Sequence, residues 1–252
     1  MVKDKEHCLW VKNSLISLIK EYCGEEVLGK SGGVLYSSYS TVKPGDYVIF
    51  GINPGGDPVQ MSHWTIECDI EYKYKKSIEK GTWNEYIDEI WSGEEPGESI
   101  FQRRIRRLSE FLFGSESKLR DICALNLVFI RTRNEKGINY KLFNRFWRVD
   151  EWFIKTVQPK CIITIGKKPY EYLHQKFSEY GSKKVCEKKF PASHGNWKMR
   201  ISKITEPSGL VDKPIVILHI PHLSRYEVSG KKQIFDEVKE YLNELQEAEY
   251  VQ

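Results

Sequence analysis

The chain has no apolar run near the roughly 18 residues that a membrane-spanning helix needs. Its start, Met1-Val2-Lys3-Asp4-Lys5-Glu6, carries acids where a signal peptide would carry an apolar stretch. A cytoplasmic or nucleoid-associated protein with no membrane partner is the expectation. No Cys-x-x-Cys pair occurs: Cys8, Cys23, Cys68, Cys123, Cys161 and Cys186 are scattered, none closer than fifteen positions to the next. That spacing excludes a standard zinc finger or ribbon and gives an iron–sulfur cluster little support, so reduced thiols and no metal are expected. Neither a Walker loop nor a GxGxxG turn is present, and there is no repeat or low-complexity tract.

What is present is a folded composition, 40% hydrophobic and 13% aromatic over 252 residues, which is within reach of one α/β domain. A net charge of +4 tolerates a polyanionic partner without announcing one. Four apolar, β-branched or aromatic runs bounded by polar or turn residues read as buried parallel strands: Tyr47 to Gly51, Ile122 to Ile130, Cys161 to Gly166 and Pro214 to His219. Helical patterns lie at about 6–22, 99–113, 140–157, 168–178 and 231–246. The alternation predicts a three-layer α/β fold, an open parallel sheet of about four strands with helices on both faces. Residues 66–98, with ten acids against four lysines plus Trp83, Tyr86 and Trp91, read as an inserted helical lid or brace, or as a region that repels DNA except at its edges. The stretch 181–213 reads only as a loop or hairpin elaboration.

Ligands of such sheets bind beyond the carboxyl ends of the strands. There the chain places Gly51-Ile52-Asn53-Pro54-Gly55-Gly56, then Asn126 to Arg133, then Gly166-Lys167-Lys168, and last His219-Ile220-Pro221-His222-Leu223-Ser224-Arg225. Taken singly these are commonplace: a βα turn, an Asn that forms a turn, a structural His.

Together, however, the four segments stand in a familiar order. Val48-Ile49-Phe50-Gly51-Ile52-Asn53-Pro54-Gly55 resembles the first motif of the uracil-DNA glycosylase superfamily in its mismatch-specific and single-strand-selective branches, a GINPG or GMNPG turn. Ala124 to Arg133 resembles the strand written LLNxVLTVR, Ile162 to Gly166 the third strand and glycine turn, and His219 to Arg225 the last motif, HPSPLS or NPSGLSR. The likeness spans residues 47–225 and leaves out the insertion and both terminal helices. It implies a monomeric, cofactor-free DNA glycosylase that flips a damaged or modified base, uracil or a relative, and hydrolyses its N-glycosidic bond. By that likeness Asn53 positions water and Asn126 pairs with the base edge.

Anchoring on Leu223-Ser224-Arg225 makes His219 the catalytic imidazole. Anchoring on Pro221-His222-Leu223-Ser224 makes it His222. The first alignment is preferred although Ile220 and Pro221 depart from the motif, and both stay open. Gly55 takes the place of a Tyr that blocks the thymine methyl in the uracil-specific branch, which implies room at base C5. Trp64 lies at a suitable distance to stack on the base, or is a plain core tryptophan. Lys167, Lys168, Ser224 and Arg225 are expected to meet the DNA backbone. Arg103, Arg104, Arg106 and Arg107 are either a solvated helix face or further phosphate contacts. The rival reading, kept alive by the missing motif-one Asp, is a catalytically impaired homologue that binds modified DNA or a nucleotide.

Overall fold

The computed structural model describes residues 2–93, 95–134, 137–138, 140–206 and 209–247. Helix α1 (Val2–Leu18) leads through a π turn at Ile19–Cys23 to a long N-terminal segment and strand β1 (Tyr47–Gly51). There follow α2 (Ile66–Lys80), α3 (Glu85–Asp88), α4 (Ile100–Phe113), β2 (Cys123–Asn126), α5 (Tyr140–Val157), β3 (Cys161–Ile165), α6 (Lys167–Glu179), β4 (Lys184–Pro191), β5 (Lys198–Ile204), β6 (Ile215–Ile220) and α7 (Lys232–Glu247). Among the described residues no helix is long and apolar enough to cross a membrane.

The sheet has six strands rather than about four, in the order β2-β1-β3-β6-β5-β4. The four expected strands are its parallel part, β2-β1-β3-β6. The extra pair comes from 181–213, an antiparallel hairpin, β4 to β5, that extends the sheet from β6. Its edge strand reads Lys-Val-Cys-Glu-Lys-Lys-Phe-Pro, with lysines where a buried strand would carry aliphatics, which is why no apolar run marks it. Strand β2 also stops at Asn126, four residues before the expected end. Beyond it the chain turns to the N-terminal segment: Gly33 N donates to Phe129 O (2.9 Å) and Arg131 N to Ser31 O (2.8 Å).

Alternate strand residues face opposite ways and so feed two cores. Val48, Phe50, Ile162, Ile215 and Ile217 pack with residues of α1, α5 and α6. Ile49, Ile163, Val216, Leu218 and Ile220 pack with Ile105, Leu108, Leu112, Phe235, Val238 and Leu242 from α4 and α7. Helices therefore cover both faces, as the alternation of elements requires. Helix α4 starts from a capping box in which Ser99 and Gln102 each satisfy the other's main-chain N–H.

Candidate active site

In this strand order β1 stands between β2 and β3: the chain steps from β1 to β2 on one side and then crosses back past β1 to β3 on the other, so a crevice opens beyond its carboxyl end. The turns after β1, β2, β3 and β6 border a cleft of about 880 Å³ there. Asn53, Gly55, Asn126, Lys167, His219, His222, Ser224 and Arg225 all line it. Trp64 and Lys168 do not.

Asn53 has a determined amide orientation. Thr132 spends its one hydroxyl proton on Asn134 O (2.9 Å) and so can only accept from Asn53, whose Nδ2 donates to Thr132 Oγ1 (2.9 Å) and to Pro54 O (2.8 Å). Both amide protons are thereby used, and Oδ1 is left as an acceptor. An acceptor held on a stiff Asn-Pro turn is what orienting a water molecule requires.

Asn126, at the end of β2, is 4% exposed, and its Nδ2 donates to the Tyr36 hydroxyl (2.8 Å). A side chain on Gly51, its register partner on β1, would collide with Asn126 Oδ1, so a glycine there is what lets the amide stand between the strands. Tyr36 is held in turn from behind. Lys73 of α2, 3% exposed, lies over its ring at 4.9 Å and pairs with Asp69 (2.8 Å) and Glu85 (2.9 Å). Burial alone would lower the Lys73 pKa, but the two carboxylates hold it above its ordinary value. Burial pushes the Tyr36 phenol up, so its hydroxyl keeps its proton.

The two histidines differ in kind. His219 lies within β6, 6% exposed, its ring 5.5 Å from that of Tyr170. Burial, with Arg200 and Lys167 adding to it, lowers its pKa to about 4 against a smaller opposing pull from the Gly166 main chain. Its Nδ1 has no hydrogen-bond partner among the described residues. His222 lies past the strand on the cleft wall, half-buried, and its ring meets Phe101 at 5.9 Å. The Ser224 main-chain N–H reaches His222 Nδ1 (3.3 Å), with Ser224 Oγ at 2.7 Å from the same nitrogen. A main-chain N–H can only donate, so Nδ1 is an acceptor and the proton of the neutral ring is on Nε2. Arg104 of α4 holds this loop, donating to Leu223 O (2.7 Å) and to Glu227 (2.9 Å).

The remaining expectations divide. A Cβ on Gly55 would meet nothing within 4 Å, so the cleft is open there. Lys167 lines the cleft from the first turn of α6 and pairs with Glu171 (3.3 Å); Arg225 is exposed at the rim. Ser224 is turned to His222. Lys168 donates to Ile138 O (3.2 Å), away from the cleft. Trp64 belongs to the brace instead: Nε1 donates to Asp69 Oδ1 (3.3 Å) and the ring meets Tyr72 edge-on at 5.2 Å. The Ser31↔Thr65 bridge ties the chain after the β1 turn to the N-terminal segment and keeps Trp64 there. The α4 arginines are also engaged internally: Arg106 with Glu98 and Glu116, Arg107 with Glu110, Arg103 with Glu98 and Arg104 as above.

The aromatic wall of the cleft comes from residues whose spacing carries no signal. Tyr36 and Tyr86 stack at 5.2 Å and 5°, and Trp91 and Phe101 close around them at about 6 Å. Residues 66–98 are therefore a brace that also contributes two wall residues, and much of their acidity points inward. Glu89 accepts from Tyr72 (2.8 Å) and Trp83 (2.8 Å), and Asp88 takes both arms of Arg120 (2.7 and 2.9 Å). Among the described residues no three His, Cys, Asp or Glu side chains form a group that could hold a metal ion. No family model matches the chain, and no curated protein matches it.

Proposed function

We propose that this protein is a monofunctional DNA glycosylase that takes a damaged or modified base, uracil or a relative, out of the stack and hydrolyses its N-glycosidic bond. The observation that carries this reading is the meeting, in one cleft, of an amide whose free atom is an acceptor (Asn53), an amide fixed at a strand end (Asn126) and an imidazole whose Nδ1 accepts a main-chain N–H, which leaves Nε2 as the donor (His222).

Extrusion is needed because C1′ and the base edge are out of reach in a stacked duplex. The extruded base lies against the aromatic wall of Tyr86, Trp91 and Phe101, the role for which Trp64 lacks the position. Asn126 keeps Oδ1 and one N–H for the base edge. As the bond breaks, its electron pair passes to the base and negative charge grows on the base oxygen, which His222 Nε2–H stabilises. Water held by Asn53 Oδ1 adds to C1′, and the proton it sheds passes to the base anion, so that the products are the neutral base and an abasic sugar. His222 replaces His219 as the preferred imidazole in this mechanism: both line the cleft, but the His222 ring is half-buried with Nδ1 already engaged, whereas His219 is only 6% exposed and packs against Tyr170.

The second reading, a modified-DNA or nucleotide binder without turnover, is favoured by Asn53 itself, since an amide orients water but cannot take its proton. Oligonucleotides carrying uracil, hypoxanthine, xanthine and 5-modified pyrimidines, screened for alkali-labile abasic sites, separate the two. Release from at least one is expected; specific binding without release from any would leave the binder.

A further inference from the structure

Residues 183–203 hold seven Lys and Arg against the single acid Glu187, a net +6 in a chain whose total is +4, so everything else together is −2. The positive charge of this protein is therefore concentrated on the β4–β5 hairpin, and strand alternation divides it between two faces. Phe190, Met199 and Ile201 point into the core under α4 and α7. Lys188 shares that side, over Tyr241 at 4.4 Å, and Lys203 reaches Leu245 O (2.9 Å) there. The opposite parity carries Lys189, Lys198 and Arg200, and all three line the cleft.

Register places these three in a continuous row. Lys189 pairs with Arg200 and Pro191 with Lys198 across β4 and β5, and Arg200 pairs with His219 on β6. The row thus runs from the sheet edge towards His219, which also lines the cleft. Among the described residues Lys198 and Arg200 have no ion-pair partner, and Lys189 has only Glu187 at 3.6 Å, a carboxylate that Lys184 (2.5 Å) and Tyr170 (3.1 Å) already occupy. At the hairpin turn Trp197, 37% exposed, backs onto His194 at 4.4 Å and also lines the cleft.

Cations in a row, two of them without an ion-pair partner among the described residues, with an aromatic ring at its end fit one class of partner, a single strand of nucleic acid, whose phosphates follow the cations and whose bases offer a face to the ring. We propose that the β4–β5 hairpin docks the single-stranded segment beside the extruded nucleotide, with Lys189, Lys198 and Arg200 on successive phosphates and Trp197 stacked on a neighbouring base. This rests on the glycosylase reading for the direction of the strand, but not for the binding itself.

The test measures binding without catalysis. A fluorescein-labelled DNA strand of about 15 nucleotides with only ordinary bases, enough to span one site, is titrated by anisotropy at several salt concentrations. Each phosphate contact to a single strand contributes about 0.7 to the slope of log K against log salt, so Lys189→Ala/Lys198→Ala should flatten the slope by about 1.4 and weaken binding roughly 25-fold at 0.1 M salt. Lys189→Arg/Lys198→Arg should restore both. Trp197→Ala should weaken binding by about 5- to 150-fold with the slope unchanged. Lys80→Ala/Lys118→Ala removes the same charge from exposed sites off the cleft and should have little effect. Equal losses in the two double variants, unchanged binding in the hairpin variants, or a preference for duplex over single strand that the hairpin variants leave intact would overturn the proposal. Failure of the wild type to release any base, with the hairpin effects present, would instead remove the glycosylase reading and leave the docking surface standing.

Discussion

Replacing His222 and His219 one at a time separates a chemical role from a packing role, because the two rings differ in what they touch. His222→Ala removes a donor from the cleft wall, and a donor aimed at developing negative charge is worth about 10²–10³ in rate, or about 2.7–4 kcal/mol of transition-state stabilisation. The ring is half-buried at the rim, so the stability cost should stay under about 1 kcal/mol. His219→Ala does the reverse. It empties a site that is 6% exposed against Tyr170, and losing a buried ring of that size costs about 2–4 kcal/mol. The loss in rate should stay under about tenfold at a temperature where the variant is folded. Single-turnover base release at saturating enzyme gives the first quantity and the urea midpoint the second. Because the His222 mechanism uses a neutral ring, the wild-type rate should not fall as pH rises from about 6 to 8, across the ordinary imidazole range. A His219→Ala rate loss larger than that of His222→Ala would return the catalytic role to the strand, and two harmless substitutions would end the mechanism.

Tyr36→Phe leaves a buried Asn126 N–H without its partner, which should lower stability by about 1–3 kcal/mol by urea unfolding and reduce base release, while Tyr36→Phe/Asn126→Leu should lose no further stability. A Tyr36→Phe protein with wild-type stability and rate would show that the hydroxyl does not hold the amide. Gly55→Tyr enters open space, so the wild type should release at least one C5-substituted pyrimidine and the variant should narrow towards uracil; a wild type that rejects every such base refutes the assignment of that position. Asp150 of α5 is fully buried with neither carboxylate oxygen partnered among the described residues, and burial raises its pKa well above the ordinary carboxyl value. The folded state therefore keeps a proton that the unfolded chain releases above about pH 4, so this group loses the protein stability as pH rises. Asp150→Asn should be increasingly stabilising from pH 5 to pH 8, and a pH-independent difference in urea midpoint would count against it.

The parallel half of the fold and the location of the site are legible along the chain for one physical reason. A strand buried on both faces must be apolar throughout, and the residues just past its carboxyl end face the crevice whatever the remaining contacts are. That is enough to find Asn53, Asn126 and the histidine segment. It is not enough for anything that depends on which distant residues meet. Tyr36 reaches Asn126 across ninety positions, and Lys73 reaches Tyr36 across nearly forty, because the N-terminal segment folds along β2 and α2 packs behind it. No local pattern encodes that approach. The same holds for Trp64, whose spacing suits a stacking role but which the Ser31↔Thr65 bridge fixes to the brace, and for the arginines of α4, which are consumed by acids from three other segments. The stretch 181–213 reads along the chain only as a loop or hairpin elaboration, and its edge strand β4 is not legible as a strand because an edge strand needs no apolar run: its hydrogen bonds come from β5, and its outward residues are free to be lysines. Local burial patterns thus determined the layers and the strand ends, while side-chain orientation, tautomer and the distribution of charge around the cleft were decided only by long-range register.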